Sequence, residues 1–271
     1  MNQYIQIVFQ NISAMQADLL IAQLNGIGFT GFEEEENCLK AFIPANDYKA
    51  NAVKEIAVNL HISFTQSVIE ETNWNAVWES SFQPVIVDDF VGIRADFHEP
   101  IKGVEIEIVI TPKMSFGTGH HATTFMMLQQ MRKINFSGKS VFDFGTGTGI
   151  LAILAEKLGA AKVLAVDYDE WSIENAEENL TRNNCSKFTL KKSDHATGEE
   201  QFEIILANIN KNVILDNFSS LVKRLAPNGF LLLSGLLETD ENDILKEAGK
   251  FPLILKGKSV INKWITVSFK N

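Results

Sequence analysis

Residues 141–149, VFDFGTGTG, follow one apolar stretch and lead into another at helical spacing, so Gly145, Gly147 and Gly149 fall where a strand turns sharply into a helix. Such a turn lets a ligand approach the backbone over a helix N-terminus. A dinucleotide fingerprint needs its third glycine at position 150, which here is Ile150, with Asp143 standing two residues ahead of the loop. The spacing therefore favours a nucleoside bound without a pyrophosphate. Asp167 closes the next strand, VLAVD at 163–167, and can accept from both ribose hydroxyls because that strand neighbours the first in a parallel sheet. Asp169 fits a helix N-cap instead. A glycine run alone would be weak evidence, as readily a tight βα turn as a ligand site; Asp143 and Asp167 in register with it point to a nucleoside cofactor.

Side chains so placed need a sheet behind them. From residue 140 the chain alternates strand and helix, with strands at 141–144, 163–167, 188–192 and 204–209 and helices at 150–158 and 171–183. This is the pattern of a Rossmann-like, doubly wound α/β sheet. A helix at 212–225 stops at the APNG of 226–229, and a strand at 230–234 and a helix near 240–250 follow. Strands at 253–256 and 264–269, joined by a short polar turn, form a terminal hairpin that puts one antiparallel strand in the sheet. Ahead of this domain, residues 85–112 read as a β-rich preface of short strands broken at Gly92 and Gly103.

The first seventy residues have a different rhythm. Ile5, Ile7 and Phe9 alternate along a strand, and Ser13 with Gln16 forms a capping box for a helix that carries Met15, Leu19 and Ala22 inward until Gly26 and Gly28 stop it. Strands at 29–33 and 39–43, an amphipathic helix bearing Val53, Ile56, Ala57 and Leu60, and a strand at 62–69 complete the order βαββαβ. That order predicts a ferredoxin-like α+β domain, whose open face or edge commonly docks a partner. Trp74, Val77 and Trp78 share helical spacing within 72–82 and predict a linker helix; its tryptophans either anchor a hinge or pack on a domain surface. The expected domains are thus 1–70 for recognition, 71–84 as linker and 85–271 for catalysis.

The bulk properties set limits. With 271 residues, 45% of them hydrophobic, the chain can fill the core of one or two domains. Cys38 and Cys185 lie far apart and show neither disulfide-framework nor zinc spacing, which suits a reducing cytoplasm. The start lacks a basic leader, and the longest apolar run, at 230–237, is too short to span a bilayer. A net charge of -10 works against direct nucleic-acid recognition. A basic protein substrate fits that sign, as does simple solubility. No obligate partner surface is evident, so a monomer is expected.

With Gly145, Asp167 and a hairpin-terminated sheet, the C-terminal portion resembles the class I S-adenosylmethionine-dependent methyltransferases. The segments GTGHHATT at 117–124, ANI at 207–209 and NWNAVWESSFQP at 73–84 are, more narrowly, similar to the PrmA-type methyltransferases of large-subunit ribosomal protein eleven. The similarity covers nearly the whole chain and is most specific over 115–210. It implies methylation of lysine or N-terminal amines on one ribosomal protein, with S-adenosylmethionine as donor and the N-terminal module gripping the substrate. It also implies cofactor contacts at Thr124, Gly145, Asp167 and Asn208, with Gly147 beside them in the loop. Two segments depart from the family pattern: TPKM at 111–114 replaces an Asp-Pro-Gly entry, and ADF at 95–97 stands where Pro-x-Trp is common.

In-line methyl transfer from a sulfonium to nitrogen asks the protein chiefly to align donor and acceptor and to exclude water, so no metal is expected. A lysine with pKa near 10.4 is protonated at neutral pH, and neutralising it costs roughly 4 kcal/mol. The donor's positive charge and desolvation both depress that pKa. Asn208 is the candidate catalytic residue: it either orients the amine lone pair or merely caps a strand end. Thr124 either meets the donor's amino-acid end or caps its helix, which runs through Phe125, Leu128 and Met131. His120 and His121 suit bases or loop-fixing groups. Asp194 suits the adenine amine or an ordinary loop, and the acidic run at 33–36 a basic substrate or a solvated hairpin tip. Two other functions compete. Methylation of a nucleic-acid base or small-molecule amine is one, although Ile209 and Asn210 replace the Pro-Pro-aromatic platform that base-flipping enzymes use. A catalytically inactive donor-binding adaptor is the other.

Overall fold

The structure, a computed structural model, describes residues 3–35, 37–70, 82–113 and 116–271. Its contacts divide the chain into two compact units, Met1–Val77 and Trp78–Asn271. The linker helix expected at 71–84 falls almost wholly on residues outside those described.

In the first unit the elements are β1 (Gln3–Gln10), α1 (Ala14–Asn25), β2 (Gly31–Glu35), β3 (Cys38–Pro44), α2 (Ala50–Asn59) and β4 (Phe64–Glu70). They form an antiparallel sheet ordered β2-β3-β1-β4. Strict alternation decides which face is buried: Ile5, Ile7 and Phe9 lie opposite Ile43, Ala41 and Leu39 and share a core with both helices. The capping box forms, with the Gln16 amide donating to Ser13 Oγ at 3.3 Å and the Ser13 amide donating to Gln16 Oε1 at 2.9 Å. The inward stripe of α1, however, is Ala17, Leu20 and Leu24, while Met15, Leu19 and Ala22 face outward. Both stripes recur at three- and four-residue intervals and both are apolar, so periodicity alone could not choose between them.

The second unit opens with β5 (Val85–Val87), β6 (Val91–Ala95) and β7 (Ile106–Ile110), a sheet in which β6 pairs antiparallel with β5 and parallel with β7. Gly92 does not break a strand as expected but lies within β6. A Cβ there would stand 2.9 Å from Ile101 Cδ1, so the glycine makes room for a side chain folded over the strand. Gly103, by contrast, adopts φ +82° outside the strands.

Next come α3 (Ala122–Met131), β8 (Ser140–Phe144), α4 (Ile150–Lys157), β9 (Lys162–Asp167), α5 (Glu170–Arg182) and β10 (Phe188–Lys192). β11 (Phe202–Asn208), α6 (Lys211–Lys223), β12 (Leu225–Leu237), α7 (Glu241–Ala248), β13 (Ile254–Ile261) and β14 (Trp264–Lys270) finish the unit. The sheet order is β10-β9-β8-β11-β12-β14-β13, and β14 runs antiparallel to both its neighbours. Asn262 and Lys263, both at positive φ, make the two-residue turn of the terminal hairpin. Alternate strand residues feed two cores. Val141, Ile204 and Leu232 pack with α3, α4 and the small sheet, whereas Phe142, Ile205 and Leu231 pack with α6 and α7. Burial on both faces is why these strands read as near-continuous apolar runs. Among the described residues, no helix is long and apolar enough to cross a membrane.

Candidate active site

Strand β8 has β9 on one side and β11 on the other, and the chain crosses over in opposite directions to reach them. Their C-terminal ends therefore leave a crevice at the switch point, where open α/β sheets bind ligands. A cavity of about 480 Å³ lies there, lined by Gly145, Gly147, Asp167 and Asn208 together with Phe116, His121, Ile209 and Trp264. That volume suits a nucleoside-sized ligand.

The glycine loop earns its composition twice. Gly145, Gly147 and Gly149 have φ of +80°, +53° and +81°. A Cβ on Gly145 would lie 2.2 Å from Ile209 Cγ2, and one on Gly147 would lie 2.3 Å from the carbonyl oxygen of Phe116. The second contact shows how the two sequence runs meet: the Thr148 amide donates to Phe116 O at 3.0 Å, and Thr148 Oγ1 donates to Gly117 O at 2.8 Å. The segments are adjoining walls of one cavity.

Asp167 is aimed by backbone. Its Oδ2 accepts from the Gly147 amide at 2.9 Å and its Oδ1 from the Asp169 amide at 3.1 Å, which leaves each oxygen a lone pair for a ligand hydroxyl. Asp169 is the N-cap of α5, as its spacing predicts. Beneath the loop, Asp143 Oδ2 accepts from Thr146 Oγ1 at 2.6 Å, while among the described residues its buried Oδ1 has no partner. Burial pushes this carboxyl from 3.8 up to about 7; the Thr146 hydroxyl pulls against that rise and the nearby Asp167 charge adds to it.

Asn208 ends β11 and donates from Nδ2 to Thr124 Oγ1 at 3.1 Å. Among the described residues its Oδ1 has no partner, although the residue is only 6% exposed. A buried acceptor left open beside a cavity marks a place for a ligand donor. Thr124 does not cap its helix. The cap of α3 is His121, whose Nδ1 accepts from the Thr123 amide at 3.4 Å and lies 2.7 Å from Thr123 Oγ1. In neutral His121 that acceptance puts the proton on Nε2, which disfavours a base role. The ring also meets Trp264 edge-on, with centroids 4.7 Å apart. His120 stacks edge-on to Phe82 at 4.9 Å and does not line the cavity, and Asp194 sits exposed beside His195.

Sequence reasoning passed over several residues. Trp264 reaches the cavity only because β14 pairs with β12, Leu237 opposite Trp264, a long-range fact with no local signal. Gly235 had one: it interrupts an apolar run, and a Cβ there would lie 2.2 Å from Ile209 O. Asn175 and Asn179 on α5 and Asn183 at its C-cap, spaced by four, are buried. Asn183 exchanges hydrogen bonds with the amide and carbonyl of Val109, at 3.0 and 2.6 Å. Asn179 accepts from the Thr111 amide at 2.7 Å and donates to Thr148 O at 2.9 Å, tying the small sheet to the glycine loop.

The strand order, the single reversed strand and the glycine turn with its acidic neighbour define a class I methyltransferase fold. The family model described as ribosomal protein L11 methyltransferase (PrmA) matches residues 10–271, and the chain belongs to that family. Ribosomal protein L11 methyltransferase of Porphyromonas gingivalis is 37% identical over 261 residues, covering 93% of this chain and 90% of its own. The enzyme of the same name from Chlorobaculum tepidum is 42% identical over 253 residues, covering 88% and 86%. A crystal structure of ribosomal protein L11 methylase from Lactobacillus delbrueckii subsp. bulgaricus matches with a TM-score of 0.65 at 28% identity, covering 69% of this chain and 98% of that one.

Proposed function

We propose that this chain transfers methyl groups from S-adenosylmethionine to lysine and N-terminal amines of ribosomal protein L11. Family membership supports the reaction and the substrate, and the open, buried Oδ1 of Asn208 is the observation in the site that carries the reading. S-adenosylmethionine supplies a methyl group on a sulfonium, so the chain's own work is to bind, orient and exclude water. Gly145 and Gly147 let the nucleoside approach the backbone, Asp167 holds the ribose hydroxyls, and Thr124 faces the amino-acid end. Asn208 Oδ1 accepts an N–H of the incoming amine and so turns its lone pair toward the methyl. Phe116, Ile209 and Trp264 line the cavity and desolvate the amine, which favours its neutral, nucleophilic form.

The β2-β3-β1-β4 order of the first unit supports a ferredoxin-like fold, whose role in this reading is to hold L11 while the catalytic domain, 85–271, reaches the amines. The enzyme works as a monomer in the cytoplasm, where ribosomal proteins are made. Incubation with methyl-labelled donor and unmodified ribosomal proteins, followed by mass spectrometry, tests the reading. Label on amines of L11, lost in Asn208→Ala and Asp167→Ala, is expected; label in RNA, or tight donor binding without transfer, would overturn it.

A further inference from the structure

The Asn208 carboxamide is tied at one end and open at the other. Nδ2 donates to Thr124 Oγ1 at 3.1 Å, while Oδ1 is enclosed and, among the described residues, unpartnered. Thr124 is itself 1% exposed, and among the described residues nothing accepts the proton of its hydroxyl. Both side chains line a recess under the loop with Gly145 and Thr146.

A hydroxyl is donor and acceptor at once, so where its proton goes decides what its oxygen can do. If Thr124 gives its proton to a ligand, its oxygen accepts from Nδ2 and Asn208 presents Oδ1 to the cavity. If Thr124 instead gives its proton to the carboxamide oxygen, the amide turns over and presents NH2. The two states have opposite effects on an amine: Oδ1 engages an N–H and frees the lone pair, whereas NH2 ties the lone pair up. Thr124 sits in the first turn of α3, where backbone amides and the helix dipole favour an anion. The carboxylate of the donor's amino-acid end has the charge and the acceptor atoms to take its proton.

We propose that Thr124 is a positioning residue that sets the polarity of the Asn208 amide, so that a bound donor holds Oδ1 toward the acceptor amine. The inference rests on the methyltransferase reading above and adds to it a coupling between the two substrates. Donor occupancy raises acceptor affinity, and by linkage the acceptor raises donor affinity by the same factor. Chained hydrogen bonds polarise one another in the same sense.

Calorimetry on the full chain tests this by measuring the Kd of unmethylated L11 with and without S-adenosylhomocysteine, which keeps the carboxylate and lacks the methyl. The nucleoside is expected to tighten L11 binding by about fivefold or more in the wild type and by less than about twofold in Thr124→Val; Thr124→Ser restores the hydroxyl and recovers the coupling. Coupling that survives in Thr124→Val, or is absent from the wild type, overturns the inference. Should Thr124→Val fail to fold, Asn208→Asp decides: its carboxylate takes the Thr124 proton with or without nucleoside, so the coupling must vanish, and its persistence overturns the inference. Lost coupling in a wild-type enzyme that still labels L11 refutes only this inference, whereas no transfer to L11 at saturating donor refutes the reading beneath it.

Discussion

Asp167 makes two kinds of bond at once, holding the loop through the Gly147 amide and offering its remaining lone pairs to the ligand. Asp167→Ala should therefore raise the donor Kd by roughly 100-fold, the equivalent of one or two charge-assisted hydrogen bonds, as measured by calorimetry. Asp143 predicts a pH effect. Its carboxyl rises from 3.8 to about 7 on folding, so the native state holds the proton more tightly than the unfolded chain between those values. Stability contributed by this group is full below pH 4, falls as pH rises through the window, and above 7 carries a penalty of at most about 4 kcal/mol. Asp143→Asn should flatten that decline, seen as a smaller loss of unfolding free energy between pH 5 and pH 8 than in the wild type.

Helix α5 and its C-cap present three asparagines to β7 and the segment after it, and Asn179 bridges Thr111 to Thr148. Asn179→Ala leaves a half-buried amide and a buried carbonyl unpaired, and should cost about 2–4 kcal/mol in urea unfolding with an unchanged slope. The asparagine spacing was visible in the sequence, yet its meaning was not, because the partner of Asn183 lies at Val109, far along the chain. What could be read was local chemistry: the glycine turn, the acidic strand end, the Ser13 box and the existence of a terminal hairpin, though not its two-residue turn, follow from neighbours a few residues apart. What could not be read depends on tertiary choice. The outward face of Met15 and Leu19, the Ile101 side chain over Gly92 and the arrival of Trp264 at the cavity are all decided by distant packing partners.

At the scale of the whole molecule, each unit has a core of its own; Phe9, Leu20 and Leu39 belong to one, and Ile153 and Phe218 to the two cores of the other. Under the proposed division of labour, a chain beginning at residue 78 should bind S-adenosylhomocysteine within about twofold of the full chain. Its kcat/KM for L11 should drop by roughly 100-fold, since about 3 kcal/mol of substrate binding is removed without touching the reacting groups. Steady-state assays at saturating donor measure both. The acidic excess of the chain further predicts that KM for a basic protein substrate climbs with salt, because screening shortens the reach of surface charge.

Strand β7 forms one margin of its small sheet, and such a margin normally offers a row of free peptide groups to any passing extended chain. Here the groups at Val109 and Thr111 are taken by carboxamides that stand in for a neighbouring strand. Amide side chains thus double as peptide bonds, capping the C-terminal end of the margin without a further strand and shortening the template for self-recruitment into fibrils.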